Sequence, residues 1–121
     1  MRILIVDDSV IMRAHLRKIL AAENVEIRES GDGADAVRQY PAFRPQLVIM
    51  DIRMPEMNGI EAIGKIRKMD PAARVIILTE YDDENLRREA REAGALEYVR
   101  KDEMLGLPDF VKGISLNRNG S

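Results

Sequence analysis

Asp7 and Asp8 follow the apolar run Ile3-Leu4-Ile5-Val6, and Asp51 follows Leu47-Val48-Ile49-Met50. Thr79 follows Val75-Ile76-Ile77-Leu78, and Lys101 follows Leu96-Glu97-Tyr98-Val99-Arg100. Runs of this length and β-branched content read as strands. In an open parallel α/β sheet the carboxyl ends of the strands are where ligands bind and chemistry happens. The pattern therefore gathers three carboxylates, a hydroxyl and an ammonium in one crevice. Three carboxylates at close quarters repel one another unless a cation joins them. An oxygen-only donor set suits Mg²⁺, which takes one or two carboxylates and completes its shell with water and phosphate.

The elements that must position these groups alternate along the chain. Residues 3–7 read as a strand. Asp8 or Ser9 then caps a helix whose apolar positions Met12, Leu16, Ile19 and Leu20 share one face. Residues 25–30 alternate in polarity and read as an edge strand. Gly31-Asp32-Gly33 turns into a helix over about 34–40, ended near Pro41. Residues 46–51 form a strand buried on both faces. Met54-Pro55-Glu56-Met57-Asn58-Gly59 is a loop by its Pro and Gly content. A helix over 60–69, a strand over 74–79, a helix over about 83–93 closed by Gly94 and a strand over 96–100 follow. Gly106, Pro108 and Gly113 interrupt the last segment, where the pattern allows a short helix over about 108–117. Five such units predict a parallel sheet with helices on both faces. With right-handed crossovers and a central first strand, the fold is flavodoxin-like, a doubly wound (βα)5 sheet in the order 2-1-3-4-5. One domain over 1–117 is expected, with 118–121 as a polar tail or linker start.

Bulk properties narrow the classes further. The chain has 121 residues, 45% apolar and 33% charged, enough for one soluble globular domain. A formal net charge of −2 supplies no electrostatic drive toward nucleic acid or an anionic membrane. There is no cysteine, hence no disulfide framework and no thiolate metal site. No stretch approaches the roughly 18 apolar residues of a membrane span, and a cytoplasmic location is the default expectation.

Asp7-Asp8-Ser9, then Asp51-x-x-Met54-Pro55-x-x-x-Gly59, then Thr79, then Gly94-Ala95 leading to Tyr98 and Lys101, resemble the receiver domain of two-component response regulators. The resemblance covers residues 1 to about 103 in order. It implies that Asp51 accepts a phosphoryl group from a sensor histidine kinase, a phosphotransfer protein or a small donor such as acetyl phosphate. Asp7, Asp8, Asp51 and the backbone carbonyl of Arg53 would hold Mg²⁺. Thr79 and Lys101 would contact the phosphoryl oxygens, and Tyr98 would change rotamer with Thr79 as a switch. The chemistry agrees. Phosphoryl transfer depends on an in-line nucleophile and charge neutralisation more than on acid–base work. A hydroxyl donor whose bond forms only after phosphorylation makes a switch. The family also suggests a homodimer through the face built from residues 85–116.

Blander readings stand beside these. Alone, Asp7-Asp8 is an exposed helix cap, Lys101 a surface lysine, Thr79 a strand-end hydroxyl and Tyr98 a packing residue. His15, on a surface-like helix without a partner pattern, reads as structural. Arg87, Arg88 and Arg91 interleave with Glu84, Glu89 and Glu92 and read as a solvated face. Gly31-Asp32-Gly33-Ala34-Asp35-Ala36 formally matches the dinucleotide fingerprint, but a turn and helix start explain its glycines. The enzyme alternative is a haloacid-dehalogenase-like phosphatase with Asp7 as nucleophile. That family needs a second Asp two residues later, where Ser9 stands. A degenerate receiver acting only as an interaction module is opposed by the intact Asp51, Thr79 and Lys101. Two departures from the receiver pattern matter. Asp102, not Pro, follows Lys101, and Glu80 stands after Thr79 where a small residue is usual.

Overall fold

The computed structural model describes residues 1–21 and 24–120, with side chains through residue 114. Five strands alternate with five helices: β1 (Arg2–Val6), α1 (Val10–Leu20), β2 (Glu26–Ser30), α2 (Gly33–Phe43), β3 (Leu47–Met50), α3 (Gly59–Met69), β4 (Val75–Thr79), α4 (Glu84–Ala93), β5 (Glu97–Arg100) and α5 (Leu107–Gly120). A 3₁₀ turn over Lys101–Gly106 joins β5 to α5. All strand pairs are parallel and the order is β2-β1-β3-β4-β5, the flavodoxin-like arrangement expected from the sequence.

Strand alternation splits the core into two layers. Leu4, Val6, Val48, Met50, Val75 and Ile77 point to one face, where they pack with Ala36 and Tyr40 of α2, Ile63 and Ile66 of α3 and Ala90 of α4. Ile3, Ile5, Leu47, Ile49, Ile76 and Leu78 point to the other, against Leu16 and Leu20 of α1 and Leu107, Val111 and Ile114 of α5. Every residue of β3 and β4 is buried, whereas β2 alternates and lies at the edge.

Caps fix where the helices begin, and so where the strand-end loops stop. Ser9 Oγ accepts the Met12 N–H at 3.1 Å, Asn58 Oδ1 accepts Glu61 N–H at 2.9 Å, and Asp83 Oδ1 accepts the N–H groups of Asn85 and Leu86. Gly94 closes α4 at φ 109°, a left-handed conformation suited to glycine.

Two elements differ from the sequence expectation. α2 does not stop at Pro41 but continues to Phe43. Tyr40 and Phe43 are both buried there, and this burial outweighs the helix bond that proline cannot donate. α5 spans Leu107–Gly120 rather than about 108–117, into the segment expected as a tail. Pro108 sits in its first turn, where its missing N–H has no intrahelical partner to lose, and Leu107, Val111 and Ile114 seat it on the sheet. The 3₁₀ turn had no periodic signal in the sequence.

Gly59 ties the fold to the crevice. Its N–H donates to the Ile52 carbonyl at 2.7 Å, and a Cβ there would lie 2.1 Å from the Asp51 carbonyl oxygen. Gly59→Ala is expected to destabilise the protein by about 3 kcal/mol or more in urea unfolding, since backbone must move to admit it. Gly64→Ala, in the same helix with open space around it, is expected to stabilise by about 0.5–1 kcal/mol.

Candidate functional site

β1 and β3 are direct neighbours in register, with Val6 paired to Met50, so the residues that follow both strands emerge side by side. Asp7 and Asp51 are those residues. The Asp51 N–H donates to the Val6 carbonyl at 2.9 Å, and the Asp7 N–H to the Ser30 carbonyl at 3.1 Å. Both carboxylates are buried, at 2% and 7% exposure, while Asp8 is exposed. One oxygen from each of Asp7, Asp8 and Asp51 lies within 4.8 Å of the others.

Lys101 is the counter-charge. Its Nζ stands 3.0 Å from Asp7 Oδ2 and 3.2 Å from Asp51 Oδ2. The remaining oxygens are held by the main chain, with Ser9 N–H donating to Asp7 Oδ1 and Ile52 N–H to Asp51 Oδ1, both at 2.8 Å. Burial raises the Asp51 carboxyl above its ordinary range, and the Asp7 charge adds to the rise, while Lys101 opposes it. Burial of Lys101 works to lower its pKa, but Asp7 and Asp51 together outweigh that and raise it. Lys101 therefore stays an ammonium.

This donor set fits a hard divalent cation. All three groups offer oxygen, two are already oriented by backbone N–H groups, and the one ammonium present pairs with Asp7 and Asp51 but not with Asp8.

Thr79 is the last residue of β4 and is fully buried; its Oγ1 accepts the Tyr81 N–H at 3.3 Å. It makes no bond to the acids or to Lys101 among the described residues. Tyr98 lies on β5, half-buried, and its hydroxyl donates to the Tyr81 carbonyl at 2.6 Å, with the Arg87 guanidinium 4.5 Å from its ring centroid. Burial raises the Tyr98 pKa. Arg53 turns its guanidinium to the Tyr81 ring, 4.4 Å from the centroid. Glu80 is exposed directly after Thr79.

Sequence reasoning passed over Tyr81, which meets Thr79, Arg53 and Tyr98 through its backbone and ring. It also passed over the contact of Arg13, whose Nη1 donates to the Asp7 carbonyl at 2.6 Å. Neither has a periodic signal: Tyr81 is tied to Tyr98 and Arg53 across the fold, and Arg13 reaches back six residues to a main-chain carbonyl, which no side-chain pattern marks. The bland readings are accounted for as well. Asp32 caps α2 through the Asp35 N–H, and a Cβ on Gly33 would lie 2.7 Å from the Met57 carbonyl oxygen, so the glycine pattern serves packing. Ser9, where the phosphatase alternative needs an acid, caps α1.

A parallel doubly wound sheet with converging acids at the ends of its two central strands β1 and β3, and a lysine after the edge strand β5, is the arrangement of a receiver domain. The chain belongs to the response regulator receiver domain family, whose model matches residues 3–107. It is 42% identical over 101 residues to the chemotaxis protein CheY of Thermotoga maritima, covering 83% of this chain and 84% of that protein. A CheY-like receiver domain protein from Methanospirillum hungatei superposes with a TM-score of 0.89 at 25% identity, covering 99% and 98% of the two chains. The CheX–CheY–BeF₃–Mg²⁺ complex from Borrelia burgdorferi matches at TM-score 0.81 and 30% identity, covering 96% of this chain and 87% of that one. No helix among the described residues is long and apolar enough to cross a membrane.

The raised Asp51 pKa carries a stability consequence. A carboxyl whose folded pKa lies above its unfolded value favours the folded state below the unfolded pKa, and that contribution is lost as pH rises through the folded pKa. At neutral pH in EDTA, Asp51→Asn is therefore expected to be more stable than the unsubstituted protein in urea unfolding. The difference should shrink as the pH is lowered and Asp51 protonates.

Proposed function

We propose that Asp51 is the phosphoacceptor of a two-component signalling switch. The observation that carries this reading is the convergence of one oxygen each from Asp7, Asp8 and Asp51 within 4.8 Å, with Lys101 paired to Asp7 and Asp51. An Asp51 oxygen forms a bond to phosphorus as the donor's phosphorus–nitrogen or phosphorus–oxygen bond breaks. Asp7, Asp8, Asp51 and the Arg53 carbonyl would hold Mg²⁺, which supplies charge neutralisation for the incoming phosphoryl group when bound. The Lys101 ammonium, held between two acids, would turn toward phosphoryl oxygens once Asp51 carries the acyl phosphate. Thr79 would exchange its Tyr81 N–H for a bond to the phosphoryl group. Tyr98, whose hydroxyl holds the Tyr81 carbonyl, would respond to that exchange. The donor is a histidine kinase or a phosphotransfer protein, and the acyl phosphate is lost by self-catalysed hydrolysis rather than by turnover of an external substrate. A cytoplasmic site of action and a homodimer through residues 85–116 accompany this reading.

Incubation with acetyl phosphate and Mg²⁺ is expected to add one base-labile phosphoryl group, read by mass spectrometry, and Asp51→Asn to abolish it. Equal labelling of Asp51→Asn would refute the assignment, and labelling at Asp7 would favour the phosphatase alternative.

Glu80 is exposed and directly follows Thr79, so its carboxylate would lie at the mouth of the same crevice. A like charge a few ångströms off costs about 1 kcal/mol in a water-like dielectric, or about five-fold in rate. Glu80→Ala is expected to raise the phosphorylation rate with acetyl phosphate by that factor, and the gain should shrink at high salt. A salt-independent gain would assign the effect to steric access.

A further inference from the structure

Asp8 is exposed, and among the described residues nothing donates a hydrogen bond to its carboxylate. Its placement therefore depends on the backbone that carries it. The preceding residue is held at every polar atom. The Asp7 N–H meets the Ser30 carbonyl, Oδ1 takes the Ser9 N–H, Oδ2 faces Lys101, and the carbonyl takes the Arg13 guanidinium at 2.6 Å. The last contact is the unusual one. The Asp7 carbonyl and the Asp8 N–H belong to one planar peptide unit, so fixing that oxygen fixes the direction in which the chain enters Asp8.

Arg13 is itself fixed. Its side chain is 17% exposed, its Nε donates to Glu29 Oε1 at 2.9 Å, and the other Glu29 oxygen takes Arg17 Nε at 2.5 Å. Gly31 lies alongside, where an added Cβ would stand 3.6 Å from Arg13 Nη1. A chain of charges thus runs from the surface of α1, through edge strand β2, to the peptide between the two acids.

We infer that Arg13 is a positioning residue for the cation site, holding the Asp7–Asp8 peptide so that the Asp8 carboxylate stays directed at the ion. The inference rests on the proposed metal site of Asp7, Asp8 and Asp51. Its sign is what makes it testable. Removing a positive charge near a cation site strengthens cation binding if charge alone matters. Removing a positioning residue weakens it, and outer-shell partners of metal ligands typically contribute ten-fold or more to affinity.

The test is Mg²⁺ affinity, read from amide chemical shifts on titration of the full chain, with Mn²⁺ binding by electron paramagnetic resonance as a second readout. Arg13→Gln is expected to weaken Mg²⁺ about ten-fold, with Arg13→Lys intermediate, because an ammonium reaches one acceptor without the fork that also grips Glu29. Arg17→Gln removes an ion pair of the same network without touching Asp7 and is expected to leave the affinity near that of the unsubstituted protein. Unchanged or tighter binding in Arg13→Gln overturns the inference, as does equal weakening in Arg17→Gln. If Arg13→Gln fails to fold, Arg13→Lys decides the matter by the same criterion. Asp8→Ala separates the two levels. If it leaves Mg²⁺ binding intact, the metal site itself is misplaced; if it weakens binding while the Arg13 variants do not, only the positioning role fails.

Discussion

Two buried carboxylates sharing one ammonium is the interaction on which the rest of this structure depends. Asp7 and Asp51 stand at the ends of adjacent strands, nearly excluded from solvent, and Lys101 lies between them. Buried charges are tolerated only when paired and hydrogen-bonded. Here each acid also receives a backbone N–H, yet the balance stays negative and the Asp51 carboxyl is pushed upward by its burial. The site holds its geometry while keeping an excess of negative charge that suits a cation.

The sheet makes that arrangement possible. Parallel pairing of β1 with β3 and of β3 with β4 brings Asp7, Asp51 and Thr79 to the same edge, and a fourth parallel strand, β5, delivers Lys101 beside them. Helices on both faces seal the central strands from water, so their carboxyl ends are where polar groups gather. Gly59 lets α3 begin against the Asp51 carbonyl, and Tyr81 joins the hydroxyl of Thr79 to that of Tyr98 through its own peptide groups.

The strands, their order and the residues at their ends were legible because a fully buried parallel strand writes itself as an apolar run, and a charge directly after such a run is conspicuous. Ser9 as a cap and Gly94 as a stop were legible for local reasons of the same kind. The rest was written in side-chain contacts that no local pattern marks. Nothing around Arg13 marks it as the partner of a backbone carbonyl, and nothing around Arg53 marks its stacking on Tyr81. Pro41 misled because a helix-breaking preference was read without the buried Tyr40 and Phe43 that flank it. Gly106, Pro108 and Gly113 misled likewise, since three buried side chains on α5 carry it past them.

The position of Lys101 in the chain also bears on how the molecule folds. The bond from Lys101 to Asp51 spans 50 residues and can form only once β5 has docked on the sheet. A partly folded form in which β1 and β3 have paired but β5 has not docked would hold two acids together without their counter-ion. That form is electrostatically disfavoured, so the last strand is bound to the first by charge as well as by packing. The site thereby adds cooperativity to the sheet's assembly and penalises intermediates that lack the β5 edge.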